Sequence, residues 1–431
     1  MTKVKAVLLA CLVFSSVILS ALIIFGRPVP RGPETSIPWF GPKPGLHEVS
    51  LPGRIYLCPA QGEAILIETF SQMYSDLVLT LGQMEYPSEK GGDIWVAGEY
   101  QEDSLSPGVL FRYDWEVSRG LLVHWLTRFY ETDFPFAAID GIFVPLDGGP
   151  VKYFNSVSHE LWQLQTDLPL AVFQQAVADP RNTLLGPMKS LTGGEVYAVD
   201  PGVFDLAAPR TLSVPACQFE EVQSEEVVQS FFLNPSIIRE ADGTEIYTDG
   251  FGALRLFPWG AVEYTAGGGG SGETYYNQQR LLEGAIEFLH LHGGWPGRML
   301  PVYSAEGPAE PARLEFSSFL RGLPVTGERV GIALDFSQGQ VVGYRRFLLG
   351  PAAEGDSHES VKPFFQLLSA DTQVALFFAE EGHTIHDLAL VYYYQQNRLI
   401  PVWRVWVENQ VMYVAAGEGR ILQVKAGIGG H

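Results

Sequence analysis

The chain predicts an α+β protein: an N-terminal transmembrane helix followed by three mixed α/β extracytoplasmic domains with antiparallel sheets, the second and third structurally related. Three observations carry that expectation. Strand-like runs such as "GVLFRYDWEV" and "VGIALDF" recur and often stand in hairpin order. Between them lie a few stretches with apolar residues three and four apart. An uncharged run from Ala6 to Phe25 precedes them all.

At 431 residues the chain exceeds one comfortable core, so two or three domains are expected. Apolar types make up 46% and charged types 18%, which excludes a largely disordered chain. Lys and Arg number 28 against 49 Asp and Glu, a formal net charge of −21 that repels phosphate backbones and argues against a nucleic-acid partner. Cys11, Cys58 and Cys217 make no disulfide framework, and a Cys58–Cys217 bridge stays open.

Residues 1–25 read as an anchor. Lys3 and Lys5 precede a run about as long as a hydrocarbon core is thick, and Gly26 and Arg27 follow it. A cleaved signal peptide would have a shorter apolar region ending in a small-x-small site, whereas Leu22 to Phe25 carry the run onward. The short tail before the run and the long domain after it favour a cytoplasmic N-terminus. Ala6 and Ala10, and Ser16 and Ser20, are small residues four apart, candidates for close contact with a second helix.

Residues 26–50, rich in Pro and Gly, read as a spacer. In the 51–150 unit "AILIETF", "DLVLTLGQM" and "GVLFRYDWEV" read as strands. Ser118 then opens a helical pattern with Leu121, Leu122, Trp125, Leu126 and Phe129 on one face. In the 151–266 unit Ser158 is expected to cap a helix through "HELWQLQ", a second helix starts at Asp167–Pro169, and Ser224 caps "EEVVQSFF" ahead of a hairpin-rich close. "GGGGSG" from Gly267 opens the 267–431 unit. There Glu273 to His292 reads as an amphipathic helix with Leu281, Leu282, Ala285, Ile286 and Leu289 inward, and Ser357 is expected to cap a helix through "ESVKPFFQLLS".

The last part, "LALVYYYQQNRLIPVWRVWVENQVMYVAA", reads as a meander of antiparallel strands. Pro401 lacks an N–H and belongs at an edge, a bulge or a strand start. At period two, Val402, Arg404 and Trp406 share one face, and Trp403, Val405 and Val407 the other. One tryptophan is expected under the helices of this unit and the other at a domain or partner contact.

The chain shows no phosphate loop, dinucleotide fingerprint, nucleophile elbow or metalloprotease helix. His383, His386 and Asp387 in "EEGHTIHD", and His290 and His292 in "HLHGG", lack ligand spacing and read as ordinary residues. Asp249 in "YTDGFG" reads as a turn residue. No catalytic, cofactor-binding or metal residue is assigned, no cofactor is expected, and the chain does not read as an enzyme. A cell-envelope hydrolase would need a convergent cluster that these motifs do not supply.

The "FFLNPS", "YTDG" and "PVWRV" elements, with a single N-terminal membrane helix ahead of them, resemble the YycH/YycI family of Gram-positive regulatory proteins. The resemblance covers the second and third units, the third being YycI-like, and leaves the first poorly matched. It implies a non-enzymatic membrane protein whose globular part lies outside the cell. It implies as partners the essential sensor histidine kinase WalK/YycG, which controls cell-wall genes, and a YycI-like protein; a homodimer stays open. The candidate contact residues are then Ala6, Ala10, Ser16 and Ser20 within the membrane, and Trp403, Arg404 and Trp406 outside it. The alternative is a cell-surface module that binds a peptide or cell-wall fragment without a kinase.

Overall fold

Two large sheets carry most of the chain in the computed structural model. It describes residues 41–85, 95–99, 107–194, 197–200, 202–219, 224–267, 277–305, 312–327, 329–352, 355–379, 383–408 and 410–426. In chain order the strands are β1 (Arg54–Cys58), β2 (Glu63–Leu66), β3 (Trp95–Glu99), β4 (Gly108–Ser118), β5 (Ala138–Pro145), β6 (Val151–Asn155), β7 (Glu160–Leu164), β8 (Met188–Ser190), β9 (Tyr197–Val199) and β10 (Phe204–Leu206). Then follow β11 (Arg210–Val214), β12 (Cys217–Phe219), β13 (Ser236–Arg239), β14 (Glu245–Thr248), β15 (Gly252–Leu256), β16 (Val262–Ala266), β17 (Met299–Ala305), β18 (Ala312–Leu320) and β19 (Leu323–Gly327). The last are β20 (Gly331–Ser337), β21 (Gln340–Phe347), β22 (Leu349–Pro351), β23 (Ser357–Val361), β24 (His383–Gln395), β25 (Arg398–Val407), β26 (Gln410–Ala415) and β27 (Ile421–Ala426).

The first sheet runs β10-β8-β2-β1-β4-β5-β6-β7-β3. The second runs β13-β14-β15-β16-β21-β20-β18-β19-β24-β25-β26-β27, with β17 on β18 and β9 on β24. The protein is thus mixed α+β with antiparallel sheets; β24 makes the parallel pairings, with β19 and β9 on different parts of its length. The expected boundary near Val151 falls between β5 and β6, which are paired neighbours. Phe40–His431 forms one compact unit. Among the described residues no helix is long and apolar enough to cross a membrane; the Ala6–Phe25 run lies outside them. So do Cys11 and residues 268–272 of "GGGGSG". Cys58 and Cys217 are unbridged.

The Gln278–Leu291 helix shows why its segment folds so. Asn277 accepts the Arg280 N–H at 3.0 Å, and Leu281, Leu282, Ala285, Ile286 and Leu289 point into the core. Gly293 and Gly294 take positive φ and end it. One buried cluster joins Tyr74, Leu77 and Trp125 to Leu282, Ile286 and Phe336. A second joins Tyr56, Phe143 and Phe154 to Val325, Trp403 and Met412. Early and late parts of the chain therefore share their cores.

Four elements differ from the expectation. The pattern opened by Ser118 is helical only over Arg119–Leu122, without a side-chain cap from Ser118, and goes on as turns. "DLVLTLGQM" belongs to a helix, Gln72–Gly82: Ser71 caps it by accepting the Tyr74 N–H at 3.2 Å, and Tyr74, Leu77, Val78 and Leu81 keep helical spacing. "HELWQLQ" is strand β7. Asn155 Oδ1 accepts the N–H groups of Val157 and Ser158, both at 3.0 Å, and His159 takes positive φ, which closes a hairpin onto β6 where a capped helix was expected. Residues from Ser357 form β23 on β11, and the helix begins only at Phe364, after Pro363. Its first N–H groups, of Phe364 and Phe365, go to the Asp205 carboxylate at 2.7 and 2.8 Å. Burial pushes that carboxyl up to about 6 against the pull of these N–H groups.

Pro401 lies inside β25, between β24 and β26. Its carbonyl accepts the Ala416 N–H at 3.1 Å, just past the last β26 pair, Val402 with Ala415, so its missing N–H falls where the ladder has ended. The Asp249 turn is an Asx turn: Oδ1 accepts the Phe251 and Gly252 N–H groups at 2.9 and 3.0 Å, with Gly250 at positive φ.

Gly141, between Arg112 on β4 and Phe154 on β6, leaves room for the Phe154 ring, which an added Cβ would meet at 2.1 Å. Gly141→Ala is expected to lower stability by about 1–3 kcal/mol through this overlap, read as a lower urea midpoint with an unchanged slope.

Candidate functional site

Six charges interrupt the apolar runs of five strands: Arg54 in β1, Arg112 and Asp114 in β4, Asp140 in β5, Asp387 in β24 and Arg404 in β25. Folding brings them together. Arg54 and Arg112 sit directly opposite each other on paired strands, a repulsive arrangement unless carboxylates intervene.

Asp387 supplies most of that relief. Arg54 grips it in a fork, Nη1 donating to Oδ1 at 3.0 Å and Nη2 to Oδ2 at 2.8 Å. Arg404 Nη2 donates to Oδ2 at 3.2 Å, and Arg112 Nε stands 3.9 Å from Oδ1. Asp114 Oδ1 is shared by Arg404 and Arg54. Arg112 Nη1 donates to Asp140 Oδ1 at 3.2 Å and Nη2 to Ser156 Oγ at 2.9 Å, while Ser156 Oγ–H donates to Asp140 Oδ2. The Arg112 guanidinium also lies 5.4 Å from the Phe154 ring centre. Three arginines meet three aspartates, and no side chain among the six is more than 12% exposed.

Two irregular strands make this meeting work. The β24–β25 register shifts between Ile385 and Asp387, and the β4–β5 register shifts between Arg112 and Val117. Such a bulge re-aims side chains. His386, the extra residue in β24, gives its carbonyl to Arg112 Nη2 at 3.3 Å and holds Asp200 Oδ2 at 2.7 Å through Nδ1.

Burial alone would raise the Asp387 carboxyl, but Arg54, Arg112 and Arg404 together hold it well below the usual carboxylate range. Asp114 is likewise lowered, by Arg404 and Arg54 against its burial. Both stay ionised at neutral pH, so they stand as fixed charges there and not as a poised acid and base. Beside them a cavity of about 330 Å³ opens between the sheets, lined also by Arg313, Glu315, Arg345 and Tyr413. Among the described residues no three His, Cys, Asp or Glu side chains gather as a metal site.

Of the candidate contact residues, Arg404 is part of this network. Trp403 is fully buried beside Phe364, with Nε1 donating to the Lys362 carbonyl at 2.9 Å. Trp406 is half-buried, edge-on to His386, with Nε1 on the Glu408 carbonyl. Ala6, Ala10, Ser16 and Ser20 lie outside the described residues. Sequence reasoning missed Arg54, Arg112, Asp114 and Asp140, and passed over Asp387 as an ordinary residue of the "EEGHTIHD" stretch. The available signal was a charged residue set among apolar ones in a strand, which demands a partner on burial.

A second feature is exposed. β13 is the outermost strand of the second sheet, and all its residues are exposed. Ile237 and Ile238 are 50% and 55% exposed, Leu233 just before them 91%, and Phe251 79%. Ser236 is registered with Thr248, which brings Leu233 and the Phe251 turn to the same end of the hairpin.

Two many-stranded antiparallel sheets, closed on each other by buried ion pairs and ending in an exposed apolar edge, define a mixed α+β protein. No protein-family model matches the chain, and no curated protein matches it. Among solved structures it is similar to YycH from Bacillus subtilis, with a TM-score of 0.64 at 12% identity over 87% of this chain and 98% of that one. The chain has a YycH-like fold, and at that identity the likeness is one of fold alone. The Bacillus megaterium YpeB C-terminal domain aligns with a TM-score of 0.32 at 11% identity, covering 48% of this chain and 96% of that one, too little to carry an argument.

Asp387→Asn is expected to cost about 3–5 kcal/mol at pH 7, because it leaves buried arginines short of a charge. A free aspartate titrates near 3.9 and Asp387 lies lower when folded, so its contribution is full above about pH 4 and is lost as pH falls toward the folded value. Urea titrations of both proteins from pH 7 downward should therefore show the gap between them closing below about pH 4.

Proposed function

We propose that this protein is a membrane-anchored, extracytoplasmic regulator of a sensor histidine kinase of the WalK/YycG type, and that it works by contact and without catalysis. The observation that carries the reading is where the family-like stretch lies. "SFFLNPSIIREADGTEIYTDGFG" ends one helix and builds the β13–β14 hairpin, whose apolar residues Leu233, Ile237, Ile238 and Phe251 face solvent. An unpaired apolar strand edge is suited to a protein partner. The YycH-like fold supports the same reading, as does the uncharged Ala6–Phe25 run, which would place the N-terminus in the cytoplasm and the sheets outside.

In this reading the anchor helix lies beside the kinase's membrane helices, with Ala6, Ala10, Ser16 and Ser20 at the contact, and the β13 edge fixes the outer domains. A YycI-like protein is the further partner. Trp406, the half-exposed member of the C-terminal set, is a secondary contact. A kinase with two states of similar energy shifts its population by the difference in contact energy between them. About 1.4 kcal/mol suffices for a tenfold change.

The binding-module alternative keeps one observation of its own, the charged cavity of about 330 Å³. A peptide or cell-wall fragment that raises the melting temperature would favour it.

The test is a crosslinking pull-down from host membranes with three forms: the full chain, one with an unrelated anchor helix, and Leu233→Asp/Phe251→Asp. Each apolar side chain is worth about 1.5–3 kcal/mol when buried. The double variant should therefore recover at least about tenfold less kinase, with an unchanged melting temperature. Loss on anchor exchange alone assigns the contact to the membrane helix. Failure of the full chain to recover any kinase overturns the proposal.

A further inference from the structure

A groove of about 800 Å³ lies away from the charged network, where the described fold takes up the chain from residue 41 onward. Its apolar wall is made by Phe70, Val78, Leu79, Trp125 and Trp295. Leu79, on the Gln72–Gly82 helix, is 63% exposed although its neighbours Val78 and Leu81 are buried. Lys43, His47, His124, Arg298 and Glu48 line its rim. Glu48 turns back to accept the Gly45 N–H at 2.8 Å, and Lys43 is held by Glu287. Arg298 has no ion pair among the described residues. Its Nη1 donates to the Phe70 carbonyl at 3.0 Å and its guanidinium lies 5.5 Å from the Phe70 ring centre, which fixes a cation at the edge of the apolar wall.

Position narrows the occupant. Pro42, Lys43 and Pro44 line the groove, so it begins two residues after Phe40. The apolar run ends at Phe25, and residues 26–40 can span at most about 50 Å even when fully extended. If that run crosses the membrane, as the proposed function has it, the groove is tethered near the bilayer surface, where lipid is the most concentrated apolar ligand. An apolar wall with the Arg298 cation at its edge matches an acyl chain joined to an anionic headgroup.

We propose that the groove takes an acyl chain of an anionic phospholipid from the adjoining membrane, with the chain along Phe70, Leu79 and Trp295 and the phosphate at Arg298. This rests on the anchored reading. The bound lipid would orient the sheets relative to the membrane and so set where the β13 edge is presented.

The test uses the full chain in nanodiscs of phosphatidylglycerol or phosphatidylcholine, each doped with the same phospholipid carrying a photoactivatable acyl chain, with labelled residues mapped by mass spectrometry. Label on residues 72–82 and 295–299 in phosphatidylglycerol is expected, several-fold weaker in phosphatidylcholine. Leu79→Asp, at an exposed position, should lower it at least about tenfold, and Arg298→Glu should lower it while leaving the melting temperature unchanged. Label confined to the N-terminal run overturns the groove and leaves the anchor standing. Label nowhere overturns both. Equal label from the two lipids overturns the anionic class, and crosslinks joining two copies through these residues would assign the groove to a dimer contact.

Discussion

Taking Arg54, Arg112 and Arg404 out of water costs several kcal/mol each, and only carboxylates drawn from both sheets offset it. Asp114 and Asp140 come from the first sheet and Asp387 from the second, and the pairs cross the junction: Arg54 of the first sheet is held by Asp387 of the second, and Arg404 of the second by Asp114 of the first. The fork between Arg54 and Asp387 therefore fixes one sheet against the other more sharply than apolar packing could. An oily interface tolerates sliding by a residue; a bidentate pair does not. The two bulges, at His386 and between Arg112 and Val117, are the local distortions that let both strands aim their charges into this gap.

Packing reinforces the same arrangement. Trp403 faces the second cluster from β25 while Arg404, its neighbour, faces the network, so one strand serves both the apolar and the ionic side of the junction. Gly141 clears space for the Phe154 ring, and that ring supports the Arg112 guanidinium. The functional reading sits at the opposite end of the second sheet. There the β13 edge lacks what the centre has in excess, since its apolar residues are half or more exposed and one side of the strand has no neighbour among the described residues.

Much of the fold was legible because local pattern and tertiary demand agreed. The Gln278–Leu291 helix buries the five residues its spacing points inward, and β24 to β26 follow the meander that "QQNR" and "EN" punctuate. Where they diverged, a local hydrogen bond usually decided. Asn155 closes a hairpin in place of the helix expected after Ser158, and Ser71 caps a helix where Asp76 to Met84 look strand-like. The charged network was not legible. The strands show scattered Arg and Asp among apolar residues, and nothing in the local pattern tells that Arg54 will meet Asp387, 333 positions away, or that a bulge will turn Asp387 toward it. The β13 surface was half legible: the stretch stood out by its resemblance, but exposure is a property of neighbours that the pattern does not name.

That separation of 333 positions also governs how the protein can be made. A chain emerging from its N-terminus presents β1 and β4 early, with Arg54 and Arg112 facing each other, while Asp387 and Arg404 arrive almost last. Until then Arg54 lacks the carboxylate that forks it, and β9 and β19 lack the strand β24 that pairs with both. Assembly is thereby biased against piecemeal completion during synthesis, and contacts so remote slow the final closure. A truncated or stalled copy would keep its charged seam open to water and to proteases, so the junction doubles as a check that the whole chain has been delivered.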